Sequence, residues 1–94
     1  MAYMFVRHTV KDFDAWKSVF DSVADLRRRN GEQSYQILRE GNGSKELFVL
    51  FKWDSLKNAQ NYASSPQLRE AMERAGVVGK PDIRFLEEAA SGDL

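Results

Sequence analysis

The sequence predicts an α+β fold: one four-stranded antiparallel sheet with helices covering a single face. Three observations predict it. Four short runs rich in aromatic and β-branched residues alternate with two helical regions in the order β-α-β-β-α-β. The turn Gly41-Asn42-Gly43-Ser44 joins the two middle runs directly, which marks an antiparallel hairpin. The third run, Leu47-Phe48-Val49-Leu50-Phe51-Lys52-Trp53, is apolar on both faces, as a central strand must be when each face is covered.

The elements follow in chain order. Tyr3 to Val10 reads as the first strand, with Met4, Val6, His8 and Val10 on one face and Tyr3, Phe5, Arg7 and Thr9 on the other. Asp12 is a good N-cap for a helix from Phe13 to Asn30. Phe13, Trp16, Phe20 and Val23 recur at helical spacing, with Val19 and Leu26 beside them. Asp14 suits the positive end of the helix dipole, Arg27-Arg28-Arg29 suits the negative end, and Gly31 is a natural C′ residue. The arginine triplet is therefore read as a solvated, dipole-matched helix end in preference to an anion site. Gln33 to Glu40 forms the second strand, with Tyr35, Ile37 and Arg39 on one face and Leu38 on the other.

After Trp53, Asp54 or Ser55 caps a helical region carrying Leu56, Ala59, Tyr62 and Ala63. Ser65-Pro66 restarts the helix: Ser caps, and Pro occupies the first helical position, where its missing N–H does no harm. Leu68, Ala71, Met72 and Ala75 form the next stripe, and Gly76 ends it. Val77 to Pro81 reads as a connection. Asp82 to Glu87 is the last strand, with Ile83 and Phe85 opposite Arg84 and Leu86. Residues 1–88 make one domain and residues 89–94 a loose tail.

This order is that of a ferredoxin-like domain. Right-handed crossovers place the first and third strands in the centre, and these are the two that are apolar on both faces. The helices cover one face. The other is expected to carry Tyr3, Phe5 and Tyr35 with part of the third strand. An apolar patch of that kind marks an interaction site. Two copies related by a two-fold axis would cover each other's sheets and enclose a barrel-like apolar space. The expected partner is thus a second copy of the chain, as a homodimer through the sheet face.

Composition narrows the function. Lys+Arg and Asp+Glu are both 14, so the net charge is zero, which argues against a nucleic-acid or anionic-membrane partner. Cysteine is absent, which removes disulfides, thiolate metal sites and a Cys nucleophile. Arg7-His8 interrupts the N-terminal apolar run, so no signal peptide is read, and a cytoplasmic location is the default. An RNA-binding module would need a basic third strand containing glycine, and Glu46 to Trp53 lacks it.

Few groups carry chemistry. His8 is the single histidine and the natural proton shuttle near neutral pH. Arg7, Arg39 and Arg84 lie on three strands, and one of them could hold a carboxylate or enolate by paired N–H bonds. Ion pairs with Glu40, Glu87 or Asp82 compete with that role. Tyr3, Tyr35, Trp53 and Tyr62 suit a pocket for a flat substrate, and equally a dimer core. One histidine without cysteine does not make a metal site, and no glycine-rich phosphate loop is present.

Several of these residues carry a family resemblance. Trp53-Asp54, Ala59, Tyr62, Ser65-Pro66, Leu68 and Ala71-Met72 resemble the second half of the dimeric α+β barrel superfamily, in particular the antibiotic-biosynthesis-monooxygenase-like domains. Val6-Arg7-His8, Val10, Asp12 to Lys17 and Phe20-Asp21 agree with the first half, so the likeness runs from Tyr3 to Glu87. It implies the ferredoxin-like fold and the dimer. It also implies a small enzyme without a tightly bound cofactor, an oxygenase, isomerase or cyclase acting on a flat apolar or aromatic small molecule in the barrel cavity that the dimer encloses. His8 and Tyr62 are then the expected catalytic pair, and Arg7, Tyr35, Arg39, Trp53 and Arg84 the expected substrate contacts. A non-catalytic ligand-binding or assembly dimer is the alternative. The haem-degrading branch of the superfamily fits poorly: Tyr62 and Met72 stand at its Trp and His positions, and Tyr3 to Val10 contains no Asn.

Overall fold

The computed structural model describes residues 1–41 and 43–94. Asn42, in the turn expected between the two middle strands, lies outside the described residues. The elements are β1 (Ala2–Val10), α1 (Phe13–Ser22), α2 (Ala24–Asn30), β2 (Glu32–Leu38), β3 (Glu46–Trp53), α3 (Leu56–Ala63), α4 (Pro66–Ala75) and β4 (Val77–Glu87). The strands pair antiparallel in the order β2-β3-β1-β4, so β1 and β3 are central. This is the βαββαβ α+β architecture that the alternation of patterns implied.

The helix boundaries have local causes. The Asp12 carboxylate accepts from the Ala15 N–H at 2.8 Å and starts α1. Ser55 and Ser65 accept from the Asn58 and Leu68 N–H groups and start α3 and α4, with Pro66 at the first helical position. Gly31 ends α2 with φ 122°, and a Cβ there would collide with the Asp54 carboxylate, so only glycine fits.

The core lies between the helices and one sheet face. Leu47, Val49 and Trp53 of β3 are fully buried there, beside Met4, Val6 and Val10 of β1. Burying one such side chain contributes about 1.5–3 kcal/mol. Across the register, Ile83 and Phe85 of β4 lie opposite Val6 and Met4 and share this face. The other face carries Tyr3, Phe5, Phe48 and Leu50, with Leu38 and Leu86 about half exposed. The Phe5 and Phe48 rings lie 6.3 Å apart on it. Among the described residues no helix is long and apolar enough to cross a membrane.

Three details differ from the sequence expectation. The long first helix is two helices, α1 and α2, broken at Val23. Tyr35 is on the helix side of the sheet, opposite Phe51 and edge-on to Phe20 at 4.8 Å, and not beside Tyr3 and Phe5. A register shift after Glu32 sets that alternation. Lastly, Val77 and Val78 pair with Val10 and Thr9, so the segment read as a connection belongs to β4. Gly79, Lys80 and Pro81 bulge out opposite His8 between two paired stretches. Pro81 has no N–H for a ladder bond and is tolerated at a bulge of an edge strand.

Candidate active site

A cavity lies between the helices and the sheet, walled by β1, β3, α1, α2, α3 and α4. Water-sized molecules can occupy about 50 Å³ of it. That is room for a few waters, well below the volume of typical small-molecule pockets. Val19, Val23, Leu68 and Met72 line it and are only half-buried, so the space approaches solvent between α1 and α4. Most of the lining is apolar. The polar exceptions are His8, Arg27 and Tyr62.

His8 is on the inward face of β1, opposite Leu47, with its ring edge-on to Trp16 at 5.6 Å. It is 7% exposed, and neither ring nitrogen has a hydrogen-bond partner among the described residues. Burial away from water disfavours the imidazolium, so its pKa falls from 6.5 to about 4. His8 is neutral at physiological pH and keeps one nitrogen as an acceptor.

Tyr62 projects from α3 and is buried. Its hydroxyl also lacks a partner among the described residues. Burial raises its pKa, opposed by the positive charge of Arg27 and assisted by the negative charge of Glu32. The phenol therefore stays protonated and can donate.

Arg27 corrects the reading of the arginine triplet. Arg28 and Arg29 are exposed, as a dipole-matched helix end requires, while Arg27 is 2% exposed. Its Nε donates to Glu32 at 2.8 Å and its Nη1 to the Phe20 carbonyl at 2.6 Å. That carbonyl lies in the last turn of α1, where carbonyls lack a helical partner. The guanidinium covers the Phe20 ring at 3.7 Å. Nη2 is buried without a partner among the described residues. Glu32 feels opposing influences: burial raises its pKa, and Arg27 pulls it back. The sequence held a signal for this. Phe13, Trp16, Phe20, Val23 and Arg27 are spaced by three and four residues, so Arg27 continues the buried stripe across the break.

The other expected site residues do not meet at this cavity. Arg7 pairs with Glu46 at 3.1 Å and reaches over Phe48 on the open sheet face. Arg84 pairs with Asp82 on the same exposed face, and Arg39 lies over the Phe13 ring at 4.8 Å. Tyr35 touches the outer side of Phe20. Trp53 is fully buried behind Tyr62, with ring centroids 5.5 Å apart. Among the described residues no group of three or more His, Cys, Asp or Glu is placed to hold a metal ion.

Comparison with known proteins adds the fold's relatives. No family model and no curated protein matches the chain. Solved structures do. SnoaB, a cofactor-independent oxygenase from Streptomyces nogalater, superposes with a TM-score of 0.76 at 16% identity, over 96% of this chain and 94% of SnoaB. A Caulobacter crescentus CB15 protein with a provisional antibiotic biosynthesis monooxygenase assignment superposes at 0.72 with 18% identity, over 95% of this chain and 90% of its own. A Nitrosomonas europaea protein of unknown function gives 0.70 at 17% identity, over 99% and 93%. Identities this low speak to the backbone alone, and the chain shares its α+β fold with these proteins.

Proposed function

We propose that the chain is a small monooxygenase-type enzyme that acts without a bound cofactor on a flat apolar or aromatic substrate held between the helices and the sheet. The observation that carries this reading is the cavity itself: His8, Arg27 and Tyr62 all line it, and each leaves a buried polar atom without a partner among the described residues. Such atoms are costly to leave unmet, and a substrate that meets them recovers the cost. SnoaB, of the same fold, supports the class of chemistry.

In this reading His8 is the proton acceptor. An imidazole held near pKa 4 is a weak base. It takes a proton only from a carbon or hydroxyl already made acidic by a neighbouring carbonyl or ring. The electron-rich substrate then reduces molecular oxygen itself. A CH₂ group becomes C=O, one oxygen atom enters the substrate, and the other leaves with the two hydrogens as water. Tyr62 donates to the substrate oxygen on which negative charge builds.

Aerobic oxygen uptake with anthrone- or quinol-type substrates tests the assignment. His8→Ala and Tyr62→Phe are each expected to lower kcat/KM by about 10²-fold or more, the usual scale of a positioned proton-transfer group. Equal rates in all three proteins would remove both residues from the mechanism.

The chain works as a homodimer in this reading. Phe5, Phe48 and Leu50 lie on the sheet face that no helix covers, and the partner's sheet would cover them. Sedimentation is expected to give a dimer at micromolar concentration and a monomer for the pair Phe5→Asp/Phe48→Asp. A monomeric native chain would refute the dimer.

The small cavity favours a second reading, a non-catalytic binding or assembly dimer. Tight binding of the same compounds without oxygen uptake would select it.

A further inference from the structure

We propose that Leu68 and Met72 are a movable partition between the inner cavity and a groove outside α4, and that the ligand, a flat uncharged two-ring molecule, binds across it. The proposal names the binding space and the entry side for the site above and rests on that site being a ligand cavity, catalytic or not.

The groove runs between α4, the end of α3 and β4. Water-sized molecules can occupy about 440 Å³ of it, within the range of small-molecule pockets. Its outer wall is the β4 bulge, Gly79-Lys80-Pro81, which stands opposite His8. Gly79 makes the bulge with φ 74°, a conformation that glycine adopts at no steric cost. Bulges are over-represented beside active sites, where they shape the space around a side chain.

Volume decides that the two spaces act together. The inner cavity holds about 50 Å³, whereas an apolar cavity that binds benzene measures about 150 Å³. No aromatic ring fits inside while the partition is closed. The groove alone has the volume, but His8 and Tyr62 line the inner cavity and not the groove. Among the described residues, Leu68 and Met72 are the two that line both. They lie one turn apart on the same face of α4, and both are half-buried. Neither is β-branched, and methionine has three rotatable bonds, so both side chains can swing while the helix stays in place. Swinging them joins cavity and groove into one space that ends at His8 and Tyr62. Its inner part is mostly apolar and disfavours a charge. Arg69, Glu73 and Lys80 stand exposed on the groove, so a polar end of the ligand faces outward.

Titration of the full chain with 1-naphthol, followed by NMR and calorimetry, tests this. Val49 lines only the inner cavity and Ile83 only the groove. They flank Val6 on either side, two strand spacings or about 10 Å apart, which a two-ring molecule can bridge. One bound molecule is expected to give nuclear Overhauser contacts to the methyl groups of both. Ala63→Phe narrows the groove without reaching the inner cavity, and is expected to weaken 1-naphthol about tenfold. Met72→Ile stays apolar but stiffens the partition. It is expected to slow association about tenfold and to change the dissociation constant less than about threefold. Contacts confined to one side, an affinity unchanged by Ala63→Phe, equal association rates in the native chain and Met72→Ile, or no binding of 1-naphthol by the native chain would each overturn the proposal. Oxygen uptake separates the two readings. Binding across the partition without turnover removes only the monooxygenase, and turnover with contacts confined to the inner cavity removes only this inference.

Discussion

Replacing Arg27 by methionine is expected to cost about 3–5 kcal/mol of folding stability, the usual penalty for removing one partner of a buried ion pair. The lost contacts are the Glu32 carboxylate and the Phe20 carbonyl, 2.8 and 2.6 Å away, together with the cover over the Phe20 ring. Most of the penalty comes from Glu32, left as a buried charge without a counter-ion. The double variant Arg27→Met/Glu32→Leu should therefore recover most of the loss, because well-packed apolar residues replace such pairs at little net cost. Urea unfolding at pH 7 measures both. A loss below about 1 kcal/mol in the single variant, or a double variant as unstable as the single, would refute this account of the pair.

The same pair gives a pH signature. Burial raises the Glu32 pKa, and Arg27 opposes that rise. Without Arg27 the folded-state pKa climbs further above the unfolded value. A raised carboxylate destabilises the fold at high pH, and the deficit shrinks as pH falls through the folded pKa. The single variant should lose less stability at pH 5 than at pH 7.

Acidification is the second large effect, and it acts through His8. The folded pKa is depressed to about 4, against 6.5 for the solvated imidazole of the unfolded chain. Above pH 6.5 both states are neutral and His8 adds no pH dependence. Below it the unfolded chain binds a proton that the folded chain refuses, so stability falls with pH. The slope approaches about 1.4 kcal/mol per pH unit and ends near pH 4, a total of about 3 kcal/mol. His8→Phe keeps a ring against Trp16 and removes the proton. Urea unfolding of both proteins from pH 7.5 to 5 should show the native chain losing about 2 kcal/mol more than the variant. Parallel curves would show that His8 is not buried as a neutral ring. A base with this pKa would also leave no inflection near pH 6.5 in a pH–rate profile.

These two residues divide what was legible from what was not. His8 and Tyr62 stood out because a lone histidine and a tyrosine on a helical stripe are visible in the residues themselves. Arg27 did not, because a charge at a helix end has a sufficient local explanation in the dipole. Its burial needed Glu32, five residues on and in the next strand, and a carbonyl released by the break at Val23. Arg7, Arg39 and Arg84 looked more promising on strands, yet Arg7 and Arg84 face outward into ion pairs, and Arg39, expected on the second strand, falls one residue past the end of β2 and lies over the Phe13 ring.

The sequence by itself determined the element order, the two central strands, the side-chain helix caps Asp12 and Ser65, a third cap to within one residue, and the glycine after α2. All of these rest on periodicity and on hydrogen bonds within a few residues, which chain neighbours set. Only the tertiary structure decided that the cavity lies on the helix side of the sheet, that Tyr35 turns toward Phe20, and that Arg27 points inward. Each depends on register or on partners from other elements, and a one-residue shift in a strand reverses the face of every side chain on it. Leu47 to Trp53 shows both halves: its double-faced pattern marked it as central, and the paired strands showed which face was core and which was left open.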